Sequence, residues 1–287
     1  MTRAPDPAKT PLHGRYQIGA LLAHGAGSAV HAAIDLSDGR AVVVKLLSAP
    51  PGLDLAARAA WLAHTRREVD AVRRLRHTDI VALLGSDMDA HPPWLALERV
   101  LAPDLSLHLR PDRRLAGPQV LHIAARLARA LAHAHGHGVV HRDLKPANVL
   151  VDLSSDTVKL TDFGAARIDH GTPTHTGMTL GTPAYMAPEL LRGGDASPAS
   201  DAYALGVMVY ELLALRRPHE AATLGGLLRA VAHSAPHPIA LLRPDLSAAA
   251  AASIDGLLRP QAAQRPHNLL AWADGMERLE HPGLGRV

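Results

Sequence analysis

The chain has 287 residues, of which 47% are hydrophobic and 20% are charged, and its formal net charge is +3. This size and composition favour one large or two coupled domains with an ordinary core, and the small net charge gives no indication of nucleic-acid binding. Cysteine is absent, which excludes disulfides and thiolate metal sites, and no apolar stretch approaches the roughly 20 residues of a membrane-spanning helix. We therefore expect no nucleic-acid partner, no membrane span and a cytoplasmic location.

The first third of the chain predicts mainly β-structure. Residues 1–14 contain prolines where a signal peptide needs an apolar run, and we expect a disordered lead there. Short apolar runs separated by glycine-bearing turns then predict strands, together with one long helix that reaches to about Leu75. Pro103 ends the last strand, and the segment 100–104 is predicted to be a linker. The predicted strands are Tyr16–Ala23, Ala29–Asp35, Arg40–Leu47, Val81–Ser86 and Trp94–Arg99.

The rest of the chain predicts mainly helices, because apolar residues recur there at helical spacing. The sequence therefore predicts a small lobe over residues 15–100, a larger helical lobe over 101–281 and a short tail over 282–287. Since the chain ends a few residues after the last predicted helix, we expect no further domain. The predicted helices are Pro118–His137, Ser200–Ala214, Leu224–Ala232, Ser247–Leu258 and Asn268–Leu279.

A glycine-bearing turn and a lysine in the first lobe indicate an anion site. Gly25 and Gly27 allow backbone N–H groups to approach an anion closely, although such a turn also occurs in a simple hairpin. Lys45 lies within the apolar strand "AVVVKLL", where an unpaired charge is costly. It therefore needs an anionic partner, either Glu68 of the predicted helix or a phosphate. The alternative is an edge position at which Lys45 points to solvent.

The segment "HRDLKPANVL" places an acid, a base and an amide next to a buried strand. Asp143 there can orient a hydroxyl and accept its proton, and Lys145 can neutralise charge on a transferred group. Asn148 offers a carbonyl oxygen to a hard cation, and Asp162 follows another apolar run with a carboxylate for the same cation. Alone, each residue is explained equally well as a turn cap, but their joint arrangement favours a reaction centre.

Taken together, these motifs resemble those of the eukaryotic-like (Hanks-type) protein kinases, specifically the bacterial serine/threonine branch. The resemblance runs from about Tyr16 to Leu279 and keeps the order of the family's motifs. It implies an α+β bilobal protein kinase fold, with a small antiparallel-sheet N-lobe that carries one long helix and a larger, mainly helical C-lobe. The matching segments are "VVVK", "HRDLKPAN", "DFG", "GTPAYMAPE", "DAYALGVMVYELL" and "QRP", and Glu68 stands for the helix glutamate.

The resemblance implies transfer of the ATP γ-phosphoryl to protein serine and threonine hydroxyls, with Mg²⁺ or, as a substitute, Mn²⁺. In that scheme Asp143 orients the acceptor hydroxyl and Lys145 contacts the γ-phosphate. Lys45, positioned by Glu68, holds the α- and β-phosphates. The remaining implied roles are phosphate covering by Gly25 and Gly27, adenine contacts by Val30, Val43 and Leu150, metal binding by Asn148 and Asp162, a gatekeeper at Leu97, a hinge at Glu98–Val100, and substrate contact at Thr182.

The resemblance also implies regulation and structural pairings. Arg142 would bind a phosphate on Thr174 or Thr176, acquired by autophosphorylation within a transient kinase dimer. Glu189 would form a structural ion pair with Arg265. Val72, Leu83, His141 and Phe163 would form the regulatory spine.

Several positions depart from the family pattern. Ala23 and Ser28 replace glycines of the phosphate loop, Val43 replaces an alanine, and Ala147 replaces an acidic residue common in kinases directed to basic substrates. We therefore predict no strict preference for basic substrates. A pseudokinase scaffold is the alternative that Ala23 favours, whereas the "APE" loop and its arginine argue against a small-molecule phosphotransferase.

The histidines before the catalytic segment offer a second alternative. His133 and His137 are one helical turn apart, a spacing that suits two metal ligands. The favoured interpretation is a helix end that leads into the loop at His141.

Overall fold

The computed structural model describes residues 12–25, 27–163 and 182–280. These residues form two compact units, the first comprising 12–76 and 81–101 and the second 77–80, 102–163 and 182–280. The segment 77–80 belongs to the second unit because Ile80 bridges Leu160 and the Leu160 N–H donates to the Asp79 carbonyl at 2.8 Å. The lobe bounds predicted from sequence did not separate that segment. Most of the predicted lead and the whole predicted tail lie outside the described residues.

The first unit is built on a five-stranded antiparallel sheet with the order β1-β2-β3-β5-β4. Alternate residues of β3 face opposite sides of this sheet, because side chains alternate along a strand. Val42 and Val44 pack with Trp94 on one side. Leu47 packs on the other side with Val69 of the long helix. The strands are β1 (Tyr16–Gly25), β2 (Ser28–Asp35), β3 (Ala41–Leu47), β4 (Leu83–Asp87) and β5 (Trp94–Glu98).

The long helix α1 spans Leu55–Val72. It begins at Asp54, whose carboxylate accepts the Ala57 N–H at 2.7 Å and so satisfies one unpaired amide of the first turn. The helix ends three residues before the predicted position, because the Leu75 N–H bonds to the Val72 carbonyl in a tighter turn. Leu75 is nevertheless buried, as its place in the apolar pattern predicted.

The second unit is mainly helical. Its central helix, Pro198–Ala214, is buried almost throughout, which its apolar sequence requires. The long helix Gly117–Gly136 packs against this central helix and against the last helix of the chain. Among the described residues, no helix combines the length and the apolar character needed to cross a membrane. The helices are α2 (Gly117–Gly136), α3 (Pro188–Leu191), α4 (Pro198–Ala214), α5 (Leu224–His233), α6 (Ala248–Leu257) and α7 (Leu269–Glu280), and the strands are β6 (Val149–Asp152) and β7 (Thr157–Leu160).

Candidate active site

The loop between α2 and β6 brings together three of the predicted site residues. Lys145 Nζ donates to Asp143 Oδ2 at 2.7 Å, and Asn148 Nδ2 donates to the same oxygen at 3.0 Å. Asn148 Nδ2 also donates to the Asp143 backbone carbonyl at 2.7 Å. Asp143 is therefore held as a hydrogen-bonded carboxylate, and its other oxygen, Oδ1, has none of these bonds.

Asp201, at the start of α4, fixes the backbone of this loop. Its carboxylate accepts the His141 N–H at 2.8 Å and the Arg142 N–H at 2.9 Å. His135, near the end of α2, lies 2.8 Å from the same carboxylate through Nε2. Asp201 is almost completely buried, so these bonds compensate for the loss of hydration of its charge. The buried aspartate of α4 is thus bonded both to the loop that contains Asp143 and to α2.

Two site residues adopt backbone conformations that L-residues rarely take. Arg142 has φ +73° and Asp162 has φ +62°, both in the left-handed region. Such a conformation costs on the order of 1–2 kcal/mol per non-glycine residue, so the surroundings must impose it. Asp201 holds Arg142 on one side. Near Asp162, the Thr161 N–H donates to the Asn148 carbonyl at 3.0 Å, and the Thr161 carbonyl lies 2.9 Å from His141 Nε2.

The residues predicted to bind a divalent cation fit that role. Because Asn148 uses its amide nitrogen toward Asp143, its carbonyl oxygen is left for another partner. Asn148 and the segment before Asp162 are joined by the backbone bond from Thr161. One amide oxygen and one carboxylate are hard ligands of the kind that Mg²⁺ takes together with substrate phosphates. Within the described ranges, no group of three or more histidines, cysteines or acids is placed to hold a metal.

In the first unit, Lys45 lies at the centre of the sheet and is 6% exposed. It pairs with Val30 of β2 and with Leu95 of β5, which excludes the solvent-facing edge position. Glu68 is largely buried on α1, and its Oε1 lies 3.3 Å from His64 Nε2. The lysine and the glutamate thus occupy the same unit, on the strand and the helix that the sequence predicted.

Of the residues expected around the nucleotide base, Val30 lies on β2, Val43 on β3 and Leu97 on β5. Val43 is the direct cross-strand partner of Leu97, the proposed gatekeeper. Gly25 pairs with Ser28 at the β1–β2 turn, and the Gly27 carbonyl accepts the Ser48 N–H at 2.8 Å. Leu150 lies on β6 of the second unit.

The proposed hinge begins at Glu98, which is bonded twice to Ala82. The Glu98 N–H donates to the Ala82 carbonyl at 2.9 Å, and the Ala82 N–H donates to Glu98 Oε2 at 3.2 Å. The start of the hinge is therefore held to the segment before β4. Val100 follows β5 as predicted.

The structural pair predicted from sequence is present. Arg265 Nη1 and Nη2 donate to the two Glu189 oxygens at 2.6 and 2.7 Å, in a bidentate arrangement. Burial raises the pKa of Glu189, but the hydrogen bonds from Arg265 and the backbone, together with the charges of Arg265 and Arg192, outweigh burial and hold that pKa below its ordinary value. The predicted ion pair is confirmed.

Each half of the predicted spine is assembled within its own unit. The His141 and Phe163 rings meet edge to face at 4.7 Å between centroids. Val72 packs against the cluster that contains Leu83.

These features are those of a known family, whose sequence model matches residues 16–271 under the description "Protein kinase domain". The chain belongs to the protein kinase domain family. A probable serine/threonine-protein kinase of Corynebacterium efficiens is 35% identical over 259 residues, covering 88% of this chain and 38% of that protein. PknA of Mycobacterium tuberculosis is 37% identical over 241 residues, covering 82% and 54%, and PrkC of Bacillus subtilis is 35% identical over 212 residues, covering 73% and 32%. The chain thus spans between 32% and 54% of the length of these curated relatives.

A solved structure shows the same kinase fold. The crystal structure of Rad53 1-466 in complex with AMP-PNP matches with a TM-score of 0.73 and 26% identity, covering 91% of this chain and 66% of that one. The antiparallel-sheet N-lobe and helical C-lobe expected from the sequence are therefore confirmed.

Some kinase residues predicted from sequence fall outside the described residues. Thr174 and Thr176 lie within 164–181, and Thr182 is described only as the first residue of the turn Thr182–Tyr185.

For the alternative histidine site, the His133 and His137 rings are 4.4 Å apart, and burial lowers the pKa of His133. His137 Nδ1 lies 2.8 Å from the His133 backbone carbonyl, so this ring nitrogen is hydrogen-bonded to the last turn of α2.

Asp201 and His135 were not among the site residues predicted from the sequence. Asp201 begins the segment "DAYALGVMVYELL", and an acid that opens an otherwise apolar helix was a detectable signal. For His135 no comparable signal existed, because four histidines occur within nine residues.

Proposed function

We propose that this kinase-family chain is an active, ATP-dependent serine/threonine protein kinase that transfers the γ-phosphoryl to protein hydroxyls. The observation that carries the proposal is the arrangement of Asp143, Lys145 and Asn148 in a loop held by buried Asp201. A scaffold without turnover has no need to retain this set of charged and strained groups.

In the proposed reaction, Asp143 accepts a hydrogen bond from the acceptor hydroxyl, orients its oxygen toward the phosphoryl group and receives its proton. Lys145, already bonded to Asp143, stabilises negative charge on the transferred group. Because the transition state of such transfers is largely dissociative, positioning and charge neutralisation supply most of the catalysis.

The proposal also assigns residues to the nucleotide and the metal. Lys45 would bind the α- and β-phosphates with Glu68 as its positioning partner, and Gly25 and Gly27 would cover the phosphates. Asn148 and Asp162 would bind Mg²⁺, with Mn²⁺ as a substitute because both ligands are oxygens. Bound divalent metal supplies neutralisation of the phosphate charges. The likeness to a structure crystallised with AMP-PNP supports nucleotide binding. The base contacts are proposed for Val30, Val43, Leu97, Glu98, Val100 and Leu150.

A radiolabel transfer assay with ATP and magnesium tests this function. We expect Asp143→Asn to retain the fold and lower turnover by about 10²–10⁴-fold, since it loses positioning and proton acceptance. Lys45→Met should also impair transfer through loss of the phosphate contact. Near wild-type turnover in either variant would contradict the mechanism, and a wild type without transfer would support the pseudokinase alternative.

Regulation by autophosphorylation is part of the proposal. A phosphate on Thr174 or Thr176 adds about −1.5 to −2 charges and three acceptor oxygens, which the Arg142 guanidinium can bind. Mass spectrometry should find phosphate on one or both threonines in purified wild-type protein and none there in Asp143→Asn protein. An active enzyme without phosphate between Asp162 and Glu189 would contradict this role of Arg142.

We also propose that the autophosphorylation occurs in trans, within a transient kinase dimer. The substrates would be proteins that contact Thr182, and the location would be cytoplasmic. The dimer is tested by the dependence of the autophosphorylation rate on enzyme concentration. A specific rate that is independent of concentration would indicate reaction within one molecule and would exclude the dimer.

A further inference from the structure

Three side chains form a hydrogen-bonded cluster at the end of the turn Thr182–Tyr185. The Tyr185 hydroxyl donates to Glu211 Oε2, and Arg217 Nε donates to Glu211 Oε1 at 2.8 Å. The Arg217 guanidinium also lies against the Tyr185 ring, 5.6 Å from its centroid. We refer to Tyr185, Glu211 and Arg217 as the Tyr–Glu–Arg cluster.

Within this cluster the Glu211 carboxylate is already satisfied. Its side chain is only 9% exposed, and each of its two oxygens accepts a hydrogen bond. Burial, reinforced by the charge of Glu211, raises the pKa of Tyr185, so the phenol remains a protonated donor. The positive charge of Arg217 compensates the negative charge of the Glu211 carboxylate. Glu211 is therefore unavailable to a basic side chain that approaches from outside.

The outer side of the cluster carries positive charge. The Arg217 side chain is 32% exposed, and a guanidinium has five N–H donors, of which one serves Glu211. The neighbouring acid, Glu220, has its own arginine, because Arg216 Nη2 donates to it at 3.2 Å. Glu220 also accepts the Arg217 backbone N–H at 3.3 Å. The exposed guanidinium edge can thus pair with an incoming carboxylate.

The location of the cluster connects it to substrate binding. Tyr185 belongs to "GTPAYMAPE", the segment that resembles the substrate-facing loop of kinases. In the catalytic loop, Ala147 supplies no carboxylate between Lys145 and Asn148. Two features therefore reduce the negative charge available to a basic substrate.

We propose that Arg217 sets the charge preference of the substrate site, by neutralising Glu211 and by offering its exposed edge to acidic side chains. Substrates whose acceptor threonine is flanked by aspartate or glutamate are then preferred over those flanked by arginine or lysine. This inference rests on the proposed kinase function and adds a substrate class to it. Complementary charge of this kind contributes more to selectivity than to total affinity.

A purely structural role for Arg217 has a different consequence. Removing one partner of a mostly buried ion pair destabilises the fold and would lower activity toward every substrate by the same factor. The ratio of activities toward acidic and basic peptides therefore separates the two roles.

The experiment uses two peptides that share a central threonine and differ only in acidic or basic flanks. Wild-type protein should favour the acidic peptide in kcat/KM by about tenfold, the ratio that 1.4 kcal/mol produces. Arg217→Gln should move this ratio toward the basic peptide by about tenfold or more, because the Glu211 carboxylate becomes available. Adding Glu211→Gln to that variant should remove the gain for the basic peptide. Arg216→Gln is the matched control, and it should leave the ratio unchanged.

Two results would overturn the role of Arg217. One is transfer by Arg217→Gln protein with an unchanged peptide ratio. The other is a wild type that prefers the basic peptide, a result that holds even if the variants fail to fold. No transfer by the wild type to either peptide would instead overturn the proposed function, on which the inference rests.

Discussion

At the scale of single residues, the loop that contains Asp143 is bonded to a buried charge that has no substrate contact in the proposed mechanism. Asp201 accepts two backbone N–H groups of the loop and lies beside His135. One of these N–H groups belongs to Arg142, whose left-handed conformation is unfavourable on its own. We therefore propose that Asp201 positions Asp143, which follows Arg142 directly.

We predict that Asp201→Asn lowers kcat by about tenfold or more while the KM for ATP changes little. The asparagine loses the charge and one acceptor oxygen, and hydrogen bonds to charged groups contribute about 1.5–3 kcal/mol each. Steady-state kinetics at saturating peptide checks the effect, with exposed Asp195→Asn as the control. A wild-type kcat in Asp201→Asn protein would show that the loop keeps its geometry without this charge.

At the scale of elements, the β2–β3 hairpin carries Lys45 and is closed by one carboxylate. Asp35, at the end of β2, accepts Arg15 Nη2 at 2.7 Å, the Ser37 N–H at 3.0 Å and the Ser37 hydroxyl at 2.6 Å. These bonds, with Arg15 the strongest cause, hold the pKa of Asp35 far below its ordinary value. The charged form of Asp35 accepts these hydrogen bonds better than the protonated form does. The Asp35 carboxylate therefore stabilises the turn that fixes the register of β3.

We predict that the stabilisation from Asp35 depends on pH. Because its pKa is lower in the folded state than the unfolded value of about 3.9, the contribution is present above about pH 4 and is lost as pH falls through the folded pKa. Asp35→Asn should therefore lower the melting temperature at pH 7, and its difference from wild type should shrink toward pH 3. A difference that is constant over this range would mean that hydrogen bonds other than the charge-dependent ones stabilise the hairpin. Asp38→Asn, at an exposed position of the same turn, is the control.

At the scale of the whole molecule, the second unit depends on a buried arginine that joins segments far apart in the chain. The Arg265 side chain is completely buried, donates to both Glu189 oxygens and also bonds the carbonyls of Ala199 and Arg259 at 2.8 Å. Its guanidinium lies 5.0 Å from the centroid of the Tyr203 ring. The arginine thus connects α3, the start of α4 and the segment after α6.

We predict that Arg265→Ala lowers the free energy of unfolding by about 3–5 kcal/mol, because it leaves a partly buried carboxylate and several carbonyls unpaired. Chemical denaturation of the wild type and the variant measures the difference. Arg259→Ala is the control, since its side chain is exposed and only its carbonyl takes part. A loss below about 1 kcal/mol would show that water satisfies these groups and that the pair is dispensable for stability.

From apolar periodicity the sequence alone predicted the main strands and helices in chain order, but not the short helix α3. The fold class and the Glu189–Arg265 pair followed from the resemblance of its motifs to those of protein kinases, because motif order is a linear property of the chain. Helix ends were harder to predict from the sequence, because the terminal turn depends on a specific hydrogen bond. The helix α1, for example, ends three residues before its predicted end.

Only the tertiary structure decided which distant groups share a carboxylate. Asp201 meets His135 and His141 across about 60 residues, and Glu211 meets Tyr185 and Arg217 from both directions along the chain. No spacing rule predicts such contacts, since they depend on which segments pack against α4 rather than on the residues between the partners. The sequence specifies where each charged residue lies along the chain, but the partner of that residue depends on which elements pack against each other in the core.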